Sequence, residues 1–482
     1  MRPPDSWLNV KPRKTVWVAL AAICLACTSL LLFYQYEDIP LSWSNTPVTP
    51  VQEESNGTTP TSSDSTSINT STSSAPSIST NTAAANPSNA VQGDRRCQAF
   101  SDPGNVVFVI KTGATEVYEK LPTQLLTTLG CVQDFLLFSD LDEQIGPYRI
   151  RDTLADFNET LKETLPDFEL YRLQHEFRRT NQDMASLKGE QAWKLDKYKF
   201  LHLVEKAWLE RPGYDWYFFF ETDTYIVWTN LILWMQRISP PTEALYLGSI
   251  AYFMNDPFAH GGSGFLISGE LLKQFIGDGG LANKYDDSFT QNCCGDSVLA
   301  NTIQKELDLQ VQQMFPQING EKPSTLPFGP THWCQPVVTM HHLHPRERTA
   351  IFDFEQARPD LTKPLTFAEL SHLPFPNSTM SPYEEDWDNL SNIRISFAGS
   401  ITSSLETCRN ACAGLEQCFQ WRYNTDGECE VSTQAFRVGG KKMPESNGKR
   451  WFSGWNTELI NKWREEHPCE EVLWVEPKRV SE

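Results

Sequence analysis

Apolar positions along the chain follow different periods, and each period predicts a different kind of element. Thr15 to Tyr34 is an uncharged, almost continuous apolar run. As a helix rising roughly 1.5 Å per residue it would span about 30 Å, the thickness of a bilayer core. Arg2, Lys11, Arg13 and Lys14 precede it, and Glu37 and Asp38 follow. The positive-inside rule then predicts a cytoplasmic tail over 1–14, a transmembrane signal anchor over 15–34 and a luminal remainder. A cleaved signal peptide is the alternative, but its apolar region would be shorter and end in small residues, whereas this run ends Leu32-Phe33-Tyr34.

Beyond the anchor the apolar pattern stops. Ser, Thr, Asn, Pro and Ala dominate to about Asp94, and Ile68 and Ile78 are the two large apolar residues between Thr58 and Asn89. So little burial cannot offset ordering entropy, which predicts a disordered, O-glycosylated stem over 35–95.

From residue 96 short apolar runs alternate with helical spacing. Val106–Ile110 and Phe135–Phe138 read as buried strands, as does Trp216–Phe220. Phe168–Leu173 reads as a further strand. Leu121, Leu125, Leu126 and Leu129 share a helix face, and Leu201, Val204 and Trp208 mark a helix over about Trp193–Trp208. Leu231, Trp234, Met235 and Ile238 mark another, capped by Thr229 or Asn230. Strand–helix alternation predicts an α/β domain with a Rossmann-like, mostly parallel sheet over 96–376. Ligands bind such sheets beyond the carboxyl ends of the strands. Lys111-Thr112-Gly113, Ser139-Asp140 and Glu221–Tyr225 all fall at such ends, so the topology gathers them at one edge.

Pro374, Pro376 and Pro382, with the acidic run to Asp388, predict a linker over 377–391. A small α+β module over 392–455 follows, then a tail over 456–482. Ser403-x-x-Glu406 reads as a capping box before a helix carrying Cys408 and Cys412, and Cys418–Tyr423 with Gly427–Glu430 reads as a hairpin.

Charge and cysteine usage narrow the class. The chain of 482 residues carries a net charge of −20, and no long basic stretch interrupts it, which argues against nucleic acid as a partner. Ten of twelve cysteines lie beyond residue 95, as expected of disulfides in an oxidising lumen. Cys97, Cys131, Cys293, Cys294, Cys334 and Cys469 admit about 15 pairings. Adjacent Cys293 and Cys294 are expected to bond separately, one of them with Cys334. Cys469 implies that the tail folds back on the body. Asn-x-Ser/Thr sequons stand at Asn56, Asn69, Asn158, Asn377 and Asn389.

Glu221-Thr222-Asp223 carries the candidate chemistry. An acid-x-acid pair at the end of a buried strand must be paired, hydrogen-bonded or metal-bound. Hard divalent cations take such oxygens and keep positions open for phosphate, so the pattern points to a metal–diphosphate site, with a solvated strand-end turn as the alternative. Gly261, Gly262 and Gly264 let a loop approach a ligand closely, or turn tightly before Phe265-Leu266-Ile267.

The stretch Asp215–Tyr225 resembles the strand and acidic motif of the Fringe and core 1 beta-1,3-galactosyltransferase family. Ile110-Lys111-Thr112, Trp193–Lys197, His260–Ser268 and Gly295–Ala300 resemble further family motifs in the same order, and together the likeness covers about 104–345. It implies a GT-A fold, a UDP-sugar donor, Mn2+ or another divalent cation, and a glycan or glycoprotein acceptor. The reaction implied is an inverting hexose transfer with a beta-1,3-type linkage, placed in the Golgi membrane. Lys111, Thr112, Glu221, Thr222, Asp223, Gly261 and Gly262 would line the donor site, and Asp296 would be the base, with helix N-capping as its other reading. Asp223 would hold the metal with a late histidine; of His341, His342 and His344 the expectation is His342. Glu221 and Thr222 stand where the family has aspartates, and Gly295 where it has a second acid. The C-terminal cysteine order resembles PAN/apple domains, implying Cys408–Cys429 and Cys412–Cys418. Ile393–Phe436 holds no histidine, which disfavours zinc. The rival function is a luminal or surface protein that binds protein or glycan through this module without catalysis.

Overall fold

The computed structural model describes residues 94–100, 102–238, 241–373, 381–397 and 403–479, all within the compact unit Asn81–Glu482. The expected anchor at 15–34 and nearly all of the expected stem lie outside the described residues. Among the described residues, no helix is long and apolar enough to cross a membrane. The stem's last two residues, Asp94 and Arg95, already belong to the folded body: Asp94 caps the helix Arg95–Ala99.

Strands β1 (Val106–Lys111), β2 (Phe135–Ser139), β3 (Glu143–Ile145), β4 (Tyr148–Asp152) and β5 (Trp216–Glu221) are five strands of a nine-stranded sheet. Its order is Lys478–Arg479, Gln312–Gln313, Tyr246–Gly248, Phe265–Ser268, β5, β1, β2, β4, β3. The sheet is mostly parallel; β3, Phe265–Ser268 and Lys478–Arg479 run against the rest. Val107, Val109, Tyr217 and Phe219 enter one core, and Val106, Phe108, Trp216 and Phe218 enter the other. Both faces are therefore covered, which is why these strands read as continuous apolar runs.

Several expected elements differ. Phe168–Leu173 is helical: a short turn over Pro166–Phe168 leads into the helix Glu169–Thr180. Leu170, Tyr171 and Gln174 are its buried residues, a helical spacing that a six-residue window does not reveal. The helix expected over Trp193–Trp208 breaks into Glu190–Asp196 and Lys199–Glu210. Thr229 and Asn230 lie inside the helix Trp228–Ile238 rather than capping it. Its early N–H at Thr229 is satisfied instead by the Glu355 carboxylate at 3.2 Å, while Asn230 bonds the backbone of Val337 and Leu365.

Part of the stretch read as a linker belongs to the C-terminal module. Tyr383–Glu385 is an edge strand on Trp451–Trp455, and Trp387–Asp388 pairs with Gly440–Lys441. The helix Leu405–Ala413 is capped by Ser404 with Thr407, one residue beyond the expected box. The hairpin Gln420–Asn424 with Cys429–Ser432 forms as expected, as do Cys408–Cys429 and Cys412–Cys418. Phe419, Phe436 and Trp455 of the module share one core with Tyr225, Val227, Leu343 and Ile351. The module is thus built into the body.

Cys334 bonds Cys469 across 135 residues, and Lys478–Arg479 then joins the sheet edge, so the tail does fold back. Cys97 bonds Cys131. With those partners taken, Cys293 and Cys294 bond each other, against the expectation of separate partners.

Candidate metal and catalytic site

The register of β1 with β5 sets Lys111 opposite Glu221, so the two strand ends meet. The buried Lys111 ammonium lies 3.1 Å from Glu221 and 2.5 Å from Asp196. Burial disfavours its charge, but these two carboxylates outweigh that and hold its pKa above the usual lysine range. Beneath it, Asp140 accepts the Ala114 N–H at 2.6 Å and faces the buried Lys199 at 3.5 Å. Thr112 and Thr222 are both buried, and their hydroxyls bond each other at 3.1 Å. They brace the floor of the site. Ser139-Asp140, Lys111-Thr112 and Glu221-Thr222 thus gather at one edge, as the topology requires.

Asp223 projects from the turn beyond β5. One carboxylate oxygen lies 3.1 Å from Lys120 Nζ and the other 3.1 Å from His341 Nε2. Nε2 is also 3.8 Å from Glu221. Burial raises the Asp223 carboxyl, yet His341 and Lys120 hold it well below the usual range. The same pairing works in reverse on His341: burial opposes its charge, but Asp223 and Glu221 lift it to about 9. Despite their closeness, Asp223 Oδ1 and both His341 ring nitrogens are buried without a hydrogen bond of proper geometry. Buried polar atoms in this condition call for a missing partner.

The three histidines of the late cluster take different roles. His341 is buried and nearest Asp223. His342 is exposed, adopts φ 58° and sets its ring centroid 4.0 Å from that of His341. Although the residue reaches solvent, the protein packed around its ring and the His341 charge lower its pKa to about 4, leaving it neutral. His344 caps the helix Pro345–Ala357. Asp223, His341 and His342 each offer one ligand atom, all within 4.8 Å of one another. The expected ligand His342 is therefore present, but with His341 beside it and closer to the carboxylate. Asp94, Cys97 and Cys131 also cluster, but their sulfurs are joined in a disulfide and cannot ligate.

Across a glycine pair lies Asp296, in the first turn of the helix Gly295–Leu307. Its oxygens accept the N–H groups of Gly261 and Ser297, each at 2.9 Å. Burial dominates over these bonds and raises its pKa to about 6. A Cβ on Gly262 would lie 2.1 Å from the His341 ring, and one on Gly261 would lie 2.6 Å from Phe200. Both positions must be glycine for close approach. The left-handed turn falls at Gly264, with φ 82°. A Cβ on Gly295 would lie 2.4 Å from the Lys197 carbonyl and from Phe200, so packing excludes a second acid there.

Lys120, Lys199 and Asp196 complete the site and were not singled out from the sequence. Lys120 stands four residues after Glu116 on the helix following β1, and that spacing is the one signal of its ion pair at 2.8 Å. One carboxylate and two imidazoles form a mixed oxygen–nitrogen donor set, which suits a first-row transition ion better than Mg2+. A carboxyl near pKa 6 can take a proton at neutral pH. No family model matches this chain, and no curated protein matches it.

Proposed function

We propose that the protein is a metal-dependent glycosyltransferase that moves a hexose from a UDP-sugar to a glycan or glycoprotein acceptor. The observation that carries the reading is the convergence of Asp223 and His341, with hydrogen-bonding capacity unused, at the carboxyl edge of a parallel sheet. The likeness of Asp215–Tyr225 to the Fringe and core 1 beta-1,3-galactosyltransferase family supports it. Asp223, His341 and His342 would hold a divalent cation, Mn2+ by its donor set. When bound, the ion would supply positive charge against a diphosphate leaving group. Lys120, freed from Asp223, would add a second positive charge on the same side.

Asp296 would take the proton from the acceptor hydroxyl. The acceptor oxygen then forms its bond to the anomeric carbon as the bond from that carbon to the diphosphate oxygen breaks. UDP leaves with the electron pair, and the anomeric configuration inverts. Five disulfides among the described residues favour an oxidising compartment, in keeping with a Golgi type II membrane enzyme. The test is calorimetric titration with UDP in Mn2+ and in chelator, for the wild type and Asp223→Ala. Binding that needs Mn2+ and is lost in the variant supports the reading. Absence of binding by the wild type in Mn2+ refutes it.

A further inference from the structure

The loop 260–264 touches both working groups of the site. The Gly261 N–H bonds Asp296 at 2.9 Å, and Gly262 lies against the His341 ring, where a Cβ would come within 2.1 Å. The Gly262 carbonyl accepts the Thr224 hydroxyl at 2.8 Å, which ties the loop to the turn that carries Asp223. His260 comes immediately before these glycines. Its ring is half-buried, with its centroid 5.7 Å from that of His341. The charges that act on it are those of His341, Glu221, Lys111 and Asp223.

Hydrogen bonds fix which ring nitrogen of His260 carries its proton. Nδ1 accepts the Ser263 backbone N–H at 3.2 Å and lies 2.8 Å from the buried Ser263 hydroxyl. A backbone N–H can only donate, so Nδ1 is bare and the neutral ring has its hydrogen on Nε2. Ser263 and Gly320 close off the Nδ1 side: a Cβ on Gly320 would lie 2.9 Å from the serine hydroxyl and 3.3 Å from Nδ1. Nε2 points away from them, and among the described residues no hydrogen bond reaches it. His260 is thus a held, uncharged N–H donor beside a candidate metal ligand, one residue from the N–H that bonds the candidate base. A fixed donor favours a ligand that pairs it and rejects one that leaves it unpaired.

In the transfer, the anomeric carbon joins a diphosphate on the Asp223–His341 side to an oxygen on the Asp296 side, so the hexose lies between the two. We infer that His260 selects the donor sugar, its Nε2–H bonding a hydroxyl oxygen of the hexose being transferred. The inference rests on the transferase reading and deepens it by naming a residue that reads the sugar rather than the nucleotide or the ion.

The test is calorimetric titration of the full chain, in Mn2+ and a non-glycosidic detergent, with UDP, UDP-glucose, UDP-galactose and UDP-N-acetylglucosamine. At least one UDP-hexose should bind the wild type. His260→Asn places an acceptor near the Nδ1 position and leaves the Nε2 position empty. It should weaken that UDP-hexose about tenfold, the scale of one hydrogen bond, and leave UDP within about twofold. His260→Gln, which carries an N–H to the Nε2 position, should stay within about threefold of the wild type for both. Equal UDP-hexose affinity in the wild type and His260→Asn overturns the inference. So does a parallel loss for UDP, which would make the ring a support of the ion or the diphosphate, and so does His260→Gln as weak as His260→Asn. Should His260→Asn not fold by circular dichroism, His260→Phe, a ring of similar size without the N–H, takes its place. Failure of the transferase reading shows separately, as absence of Mn2+-dependent UDP binding by the wild type. UDP binding without binding of any UDP-hexose overturns this inference alone.

Discussion

Metal binding at Asp223 and His341 should be coupled to release of one proton, and the structure sets its size. Asp223 and Glu221, against the cost of burial, place the His341 pKa at about 9. At pH 7, two pH units lower, only about 1 ring in 100 is neutral, and a cation can bind Nε2 only when that proton is gone. His342, at about 4, is already neutral and contributes no proton. Asp223, held well below its usual range, is already ionised. Apparent Mn2+ affinity should therefore rise roughly tenfold per pH unit, about 100-fold from pH 6.5 to 8.5. Calorimetry at pH 7 in two buffers of different ionisation enthalpy should count about one proton released per ion. His341→Gln should abolish both the release and the pH dependence. An affinity that stays flat across this range in the wild type would refute the assignment of His341 as a ligand. The same pKa has a sign for stability: raised from 6.5 to about 9, it contributes stability to the metal-free protein that is fully present below pH 6.5 and is lost as pH rises through 9.

Three further outcomes follow from the geometry. Asp296, raised from 3.8 to about 6, is neutral at pH 5, so kcat/KM should climb with pH through about 6 and then level. Asp296→Asn should remove that limb and lower kcat by roughly 100- to 10,000-fold, with Mn2+–UDP affinity unchanged by calorimetry. Gly262→Ala pushes a methyl to within 2.1 Å of the His341 ring and should cost about 1–3 kcal/mol in denaturant unfolding, with metal affinity reduced. Asn389 is fully buried, its amide donating to the Trp421 and Gly454 carbonyls, whereas Asn158 is exposed. Peptide mass spectrometry of protein secreted through a glycosylating pathway should find glycan at Asn158 and none at Asn389.

Legibility in the sequence followed the strength of each local signal. Both-face burial makes β1, β2 and β5 into unbroken apolar runs, and the residues at their ends make up most of the site edge. The C-terminal disulfides were readable because their spacing matches a known cysteine order. Ion partners across the fold left no local trace. Lys120 and Lys199 sit on helices whose polar residues read as solvated until the strand ends are brought beneath them. His341 and His342 are neighbours, and only the turn with φ 58° at His342 decides which ring is buried against Asp223. Pairing of Cys293 with Cys294 likewise depended on Cys334 being taken by Cys469 from the far end of the chain. Gly295, a gap in the expected acidic pair, is explained by the packing of Lys197 and Phe200, which sequence spacing does not show.

The central claim, transfer from a UDP-sugar, is tested most directly by following UDP release from a panel of UDP-sugars in the presence of glycan acceptors and Mn2+. The account predicts turnover with at least one donor, lost in chelator, in Asp223→Ala and in Asp296→Asn. Turnover that survives both substitutions, or none from any donor by a wild type that binds UDP and acceptor together, would contradict it.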